Sequence, residues 1–434
     1  MPFTPPPTPE DRRAAGKALR DRLARSEQAA FEPRARPDLL DQLRAAVAGR
    51  DESLLPHRWA RMAESPFGFL RGTAALMAED LRPLPTAGLA ITLCGDAHLL
   101  NLGAYADPDR HLLFDLNDFD EACTGPFEWD LKRLAASFAV AGHGTGSDAP
   151  TRAAMVSALV RAWREGLEAC AALAYGDLAR EEVRPEHGHV PLAPIFGKAA
   201  RDTPQRLREK ATVPGPGGWP ALVARHPALR PLPEAEAAPV LAALGPYAAT
   251  LTAPWRHLLS AYRPLEVARR ASGCGSFGVL DWVVLLVGRD PGDTLFLEVK
   301  AQRGSCWRPT PGHRGQFVAQ AAQVLQTWSD PFLGWSEVAG QPVLVRQWSD
   351  HKASLDLEDL DPGTLEAYAA LCGRVLAKAQ ARAGDAAALA GYAGRSGRLD
   401  EALATFAERY AEQVLRDFEA FRSLLATGAL PLPV

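Results

Sequence analysis

The densest polar chemistry in the chain lies in CGDAHLLNLGAYADPDRHLLFDLNDFDEACTGPFEWDLKRL, from Cys94 to Leu134. Asp96 and Asn101 stand five positions apart, directly after a short apolar run, Leu89 to Cys94, that reads as a buried strand. Asp118 follows a second such run, His111 to Leu116, entered through the turn Asp107-Pro108-Asp109. Phosphoryl transfer calls for this set. One carboxylate orients or accepts the proton of an attacking hydroxyl, while an amide oxygen and a second carboxylate hold magnesium against the phosphates. Asp96 is the candidate base, and Asn101 and Asp118 are the candidate metal ligands. Each alone would be an ordinary turn or capping residue. Together, Asp115, Asp118, Asp120 and Glu121 crowd carboxyl groups beside a strand, and their repulsion calls for a cation. Asp115 and Asp120 are therefore accessory candidates. A calcium loop is disfavoured, because Phe119 or Asp120 stands where such a loop needs its turn glycine.

His98 is a further accessory candidate. Gly-Asp-x-His also occurs in metal-dependent phosphoesterases, but that chemistry needs more histidines, and His143, His187 and His189 lie in no Gly-Asn-His context. Asp130 follows Trp129 at the start of a helical stretch and reads as a structural charge on the helix dipole. Lys132 and Arg133 read equally well as solvated charges.

A second constellation lies far downstream. Gly273-Cys274-Gly275-Ser276-Phe277-Gly278 matches G-x-G-x-x-G. In a dinucleotide fold it would open a helix, yet VLDWVVLLV follows, which is strand-like. The loop is expected to join two antiparallel strands, with the backbone at Gly273, Gly275, Ser276 and Gly278 free to approach phosphates. The next strand ends in Phe296-Leu297-Glu298-Val299-Lys300, and alternation puts Glu298 and Lys300 on one face. Lys300 is the candidate contact to the α- and β-phosphates.

The elements that must position these groups fall into three blocks. Residues 10 to 48 have helical spacing, and helices are expected over Ser65–Leu81, Glu128–Val140 and Thr151–Ala174. VPGPGGWP, residues 213 to 220, reads as a loop or boundary, and 233 to 262 as helical. Strands are expected at Leu265–Ala271, Val279–Val287, Thr294–Lys300 and Pro342–Gln347, with a helix at Arg314–Trp328. Helices close the chain at Thr364–Ala383 and Leu399–Leu425. The expected organisation is a flexible Pro-rich tail over 1–17, a helical lobe over 18–262, a β-rich small lobe over 263–348 and C-terminal helices over 349–434. That is an α+β chain.

Composition is that of an ordinary soluble globular protein. Of 434 residues, 47% are apolar and 23% charged, and the net charge of -4 gives no footprint for nucleic acid or a membrane surface. The six cysteines form no C-x-x-C pair, so reduced thiols in a bacterial-type cytoplasm are expected. The Pro-rich N-terminus has no secretory h-region, and the longest apolar run, Val283 to Val287, is too short to span a bilayer.

Two resemblances follow from these motifs. The pieces resemble the protein-kinase-like superfamily, nearest to aminoglycoside and choline kinases. Asp96 matches its catalytic-loop aspartate, Asn101 its magnesium-binding asparagine, and Asp118 of Asp118-Phe119-Asp120 its D-F-G aspartate. The twelve positions from Asp118 to Asp130 resemble a spacing in aminoglycoside phosphotransferases. The whole chain, from about Arg20 to Phe421, resembles the bacterial family of uncharacterised proteins called domain of unknown function 2252. SPFGFLRG, CGDAHLLNLG, FDLNDFDE, GPFEWDLKRLAAS, RGQFVAQ, FLGW and VRQWSDHK carry that likeness. Gln320 stands where the kinase glutamate that pairs with the lysine would align, and Glu298 is its expected substitute.

The kinase resemblance implies a two-lobe fold in circularly permuted order, because the Asp/Asn cluster precedes the glycine hairpin. It implies ATP and magnesium as cofactors and a small-molecule or protein hydroxyl as acceptor. Arg71 of SPFGFLRG is an accessory candidate for contact with substrate or phosphate. The competing expectations are a nucleotide-binding pseudokinase or scaffold, and a metal-dependent phosphoesterase.

Overall fold

The computed structural model describes residues 6–32, 36–187, 192–225, 228–271, 277–348, 353–355 and 361–433. The Pro-rich start is not a flexible tail throughout. α1 (Pro9–Ala18) begins at Thr8, whose hydroxyl accepts from the Asp11 N–H at 3.1 Å while the Asp11 carboxylate accepts from the Thr8 N–H. This reciprocal cap satisfies two otherwise orphaned donors. α2 (Leu39–Val47) and α3 (Leu55–Ala63) follow. The single helix expected over Ser65–Leu81 is two, α4 (Pro66–Gly72) and α5 (Ala74–Leu81). They break at Thr73, whose hydroxyl donates back to the Phe69 carbonyl at 2.8 Å.

Four short strands come next: β1 (Ala90–Leu93), β2 (Leu102–Ala106), β3 (Leu112–Leu116) and β4 (Cys123–Pro126). β1 pairs with β4 and β2 with β3, both antiparallel. The spacing revealed only β1 and β3, because β2 (LGAYA) and β4 (CTGP) are short, carry Gly, Ala or Pro, and show no alternating signal. α6 (Glu128–Gly144) and α7 (Ala149–Ala172) are the first long helices, and α6 is buried from Glu128 to Gly142.

Three short helices, α8 (Tyr175–Leu178), α9 (Ala193–Arg201) and α10 (Pro204–Ala211), lead to a hairpin of β5 (Thr212–Pro214) and β6 (Pro220–Leu222). VPGPGGWP, read as irregular, thus supplies the turn, the last two residues of β5 and the first of β6. β7 (Leu229–Pro231) precedes α11 (Glu234–Ala242), α12 (Leu244–Thr250) and α13 (Ala253–Leu259). β8 (Arg263–Arg270), β9 (Asp281–Val287) and β10 (Thr294–Ala301) follow, then α14 (Arg314–Leu325), β11 (Gly334–Val338) and β12 (Gln341–Gln347). Strands β7 to β12 form one antiparallel sheet of six, in the order β11-β12-β10-β9-β8-β7.

The small lobe therefore starts before residue 263. β7 is its edge strand, and α11 to α13 seat Val240 and Tyr247 on the sheet residues Val284, Leu297 and Val345. The sheet face of β9, β10 and β12 carries an apolar set that must be covered, so the helices before it belong with it rather than with the N-terminal lobe. α15 (Pro362–Ala383), α16 (Ala386–Ala393) and α17 (Arg398–Ala426) return to the large lobe, where α15 packs on α7, β1 and β3. Among the described residues, no helix is long and apolar enough to cross a membrane.

Candidate active site

The turn after β1 is built from the large lobe outward. Gly95 has φ +84°, and a β-carbon there would meet the Glu121 carbonyl oxygen at 2.0 Å, so only glycine lets the two acidic loops touch. Asp130, in the first turn of α6, accepts from the Cys94 and Gly95 N–H groups, both at 2.9 Å. Where the sequence suggested a charge on the helix dipole, the Asp130 carboxylate tethers the loop after β1. Burial pushes its carboxyl up from 3.8 to about 6, against the pull of those two N–H groups.

That shift has a measurable consequence. The unfolded carboxyl titrates near 3.8 and the folded one near 6, so the folded state holds more protons between these values. The contribution of Asp130 to stability is fully present below about pH 4 and is lost as pH rises through about 6. Wild type is expected to gain on the order of 3 kcal/mol relative to Asp130→Asn as pH falls from 7 to 4. Denaturant melts of both proteins across that range test it, and parallel pH profiles would refute it.

Asp96 lies on the same turn. Its Oδ1 accepts from Arg133 Nε at 2.8 Å, and its Oδ2 is 3.9 Å from His98 Nε2. Arg133 is fully buried, with Nη2 donating to the Leu70 carbonyl at 2.8 Å, and Lys132 is buried too. Neither is a solvated charge. Asn101 donates from Nδ2 to the Asp96 carbonyl at 2.8 Å, which fixes its amide beside the turn after β1. His98 is buried, and its Nδ1 accepts from the Leu100 N–H at 3.2 Å. Burial, with Arg71 and Arg133 nearby, holds the imidazole well below its usual range, so it is neutral. Tyr368 on α15 secures the far side of the loop by donating to the Leu99 carbonyl at 2.9 Å.

The four crowded carboxyl groups separate in space. Asp115 turns into the core, where it accepts from Lys378 Nζ at 2.7 Å and from the Thr327 N–H at 3.1 Å. It is a structural buried ion pair and no accessory of the site. Asp120 pairs with Lys300 and also accepts from Gln302 Nε2 at 3.2 Å. Glu121 accepts from the Cys306 N–H at 2.7 Å. The protein's own donors thus relieve most of the repulsion that had called for a bound cation. Asp118 lines a cavity of about 530 Å³ together with Asp96, Asn101, His98, Asp120 and Arg71.

Lys300, on β10 and 180 positions beyond Asp120, pairs with that cavity-lining carboxylate without lining the cavity itself. Burial opposes its charge, but Asp120 and then Asp118 outweigh it and raise its pKa. Glu298 does not serve as its pairing partner: Arg270 and Arg346 hold that carboxylate. Gln320 does not reach it either, since it is exposed on α14. The helix instead meets the site through Arg314, whose guanidinium donates to the Asp120 and Ala122 carbonyls, both at 2.6 Å. Gly273, Gly275 and Ser276 lie outside the described residues. Gly278 is described, at φ +80°, and its carbonyl accepts from the Asp51 N–H at 2.8 Å.

A second cavity, of about 340 Å³, adjoins at Asp120 and includes the apolar side chains of Phe119, Phe332, Leu344 and Trp348 at the end of β12. Among the described residues, no group of three or more His, Cys, Asp or Glu side chains is placed to hold a metal. Magnesium held by one carboxylate, one amide and phosphate oxygens needs no such group, and Asn101 and Asp118 supply that donor chemistry in one cavity. Arg314 and Gln302 escaped the sequence reading, as did the pairing of Arg133 with Asp96. Arg133 stands three positions after Asp130 on one helix, a spacing that puts both on the face toward the loop.

The family described as an uncharacterized protein conserved in bacteria (DUF2252) matches residues 50–424, and the chain belongs to it. No curated protein and no solved structure matches the chain.

Proposed function

We propose that this member of the family is an ATP- and magnesium-dependent phosphotransferase with a protein-kinase-like site in circularly permuted order, acting on a hydroxyl acceptor. One observation carries the reading. Asp96, Asn101, Asp118 and Asp120 line one cavity, and Lys300, from a different lobe, pairs with Asp120 at its edge. Nothing in the local sequence forces those two halves together.

In this reading Asp96 accepts the acceptor's proton through the carboxylate oxygen that Arg133 does not hold. Asp130 and Tyr368 keep its loop in place. Asn101 and Asp118 hold magnesium, which supplies charge neutralisation at the phosphoryl oxygens. Lys300 presents its ammonium to the phosphates, and the second cavity, where Phe119, Phe332, Leu344 and Trp348 stand among charged groups, takes the base. A nucleotide-binding protein without turnover is the second reading. It is favoured by the side-chain environment of Lys300, whose carboxylate partner comes from the Asp118–Asp120 loop and not from α14.

Thermal unfolding with nucleotide tests the first step. Mg-ATP at ~100 times its dissociation constant is expected to add about 2.7 kcal/mol of stability. Asp118→Ala should lose the magnesium-dependent part of that gain. A wild-type melting temperature unmoved by saturating Mg-ATP would sink the reading, and ADP release separates turnover from binding alone.

A further inference from the structure

The proposed chemistry leaves His98 without a task, although it stands beside the base. Its side chain is buried, yet it lines the larger cavity together with Asp96 and Asn101. The ring is held from two sides. Nδ1 accepts from the Leu100 N–H at 3.2 Å, and Phe67 of α4 packs against the ring edge to face, with centroids 6.0 Å apart. The backbone is held as well, since the His98 N–H donates to the Asp96 carbonyl at 2.8 Å and the His98 carbonyl accepts from the Asn101 N–H at 2.8 Å.

A neutral imidazole carries one N–H, and a ring nitrogen that accepts a hydrogen bond does not carry it. The hydrogen is therefore on Nε2, which stands 3.9 Å from Asp96 Oδ2. That gap is too long for a direct hydrogen bond, but an oxygen about 2.8 Å from both atoms would bond to each, at an angle of roughly 90°. Asp96 Oδ1 is committed to Arg133, so Oδ2 is the oxygen left to accept. The two side chains thus offer one donor and one acceptor to a single atom. A hydroxyl complements them, because its oxygen accepts one hydrogen bond and donates another. An alkylammonium has donors and no lone pair, and would meet the Nε2–H donor to donor.

We infer that His98 positions the phospho-acceptor, its Nε2–H and Asp96 Oδ2 bracketing the attacking hydroxyl. The acceptor role rests on the phosphotransfer reading above. The bracketed hydroxyl gives its proton to Asp96 Oδ2 while its oxygen bonds to the γ-phosphorus of Mg-ATP and the bond from that phosphorus to the departing ADP oxygen breaks. His98 exchanges no proton in this step. It fixes where the attacking oxygen sits, which is the part of the barrier that orientation can remove.

Two replacements separate this role from a structural one. Asparagine places an oxygen where Nδ1 stands, so it keeps the bond to the Leu100 N–H and offers nothing at Nε2. Glutamine reaches the Nε2 position with an N–H donor and gives up the Leu100 bond. With water as the acceptor, His98→Asn is expected to lower kcat for ADP release by about thirtyfold or more and His98→Gln by less than about tenfold. The KM for Mg-ATP should stay within about threefold of wild type in both. Stability to denaturant should run in the opposite order, with His98→Asn nearer wild type. A loss of kcat in His98→Asn no larger than that in His98→Gln overturns the positioning role and leaves phosphotransfer standing. Nitrogen NMR of the histidine-labelled full chain gives a check free of turnover, with His98 identified by the signal that His98→Asn lacks. At about pH 7 its Nε2 should be protonated and its Nδ1 bare, and the reverse tautomer overturns the bracket. A wild type that releases no ADP from Mg-ATP overturns the phosphotransfer reading, and the acceptor role with it.

Discussion

Asp96→Asn is expected to cut ADP release from Mg-ATP by ~10²–10⁴ while leaving nucleotide affinity within about threefold of wild type. The asparagine oxygen can still accept from Arg133 Nε, now 2.8 Å from Asp96 Oδ1, so the turn between β1 and Asn101 keeps its shape. What disappears is the basic oxygen that would take a proton. On the proposed reading nucleotide is held by Lys300 and Asp118, so its binding is expected to persist. The measurement is steady-state ADP release alongside nucleotide titration. Turnover within twofold of wild type would remove Asp96 from the base role. Loss of binding together with turnover would instead mean that the substitution disturbed the loop.

Lys378→Met is expected to destabilise the fold by ~3–5 kcal/mol, the usual cost of stranding one member of a buried ion pair. Lys378 on α15 and Asp115 on β3 are both buried and lie 2.7 Å apart. Removing the ammonium leaves Asp115 with the Thr327 N–H and the Leu116 N–H as donors, since the Thr327 hydroxyl donates to the Glu181 carbonyl. Adding Asp115→Asn to Lys378→Met should recover part of the loss, because the stranded charge goes with it. Chemical denaturation of the three proteins provides the check. A single-variant loss under about 1 kcal/mol, the range of exposed pairs, would show that the pair is effectively solvated.

The sequence by itself determined the local elements and the chemical types. Apolar runs ending in Gly95-Asp96 and before Asn117-Asp118 marked β1 and β3, and the strand alternation of β9 and β10 placed Glu298 and Lys300 on one side. The long helices α6, α7, α15 and α17 were legible because their periodicity persists over several turns. Only tertiary structure decided which charge meets which. Asp115 and Asp120 stand five positions apart, yet one pairs with Lys378 and the other with Lys300. Strand geometry explains the split. Asp115 lies inside β3 and points into the core against α15, whereas Asp120 lies in the turn beyond it and points into the cleft. The extent of the small lobe was hidden for a similar reason, since α11 to α13 read as helices and only the exposed apolar face of the sheet dictates that they cover it. Ion pairs and lobe boundaries are fixed by contacts between distant segments, and such contacts leave no periodic trace in the chain.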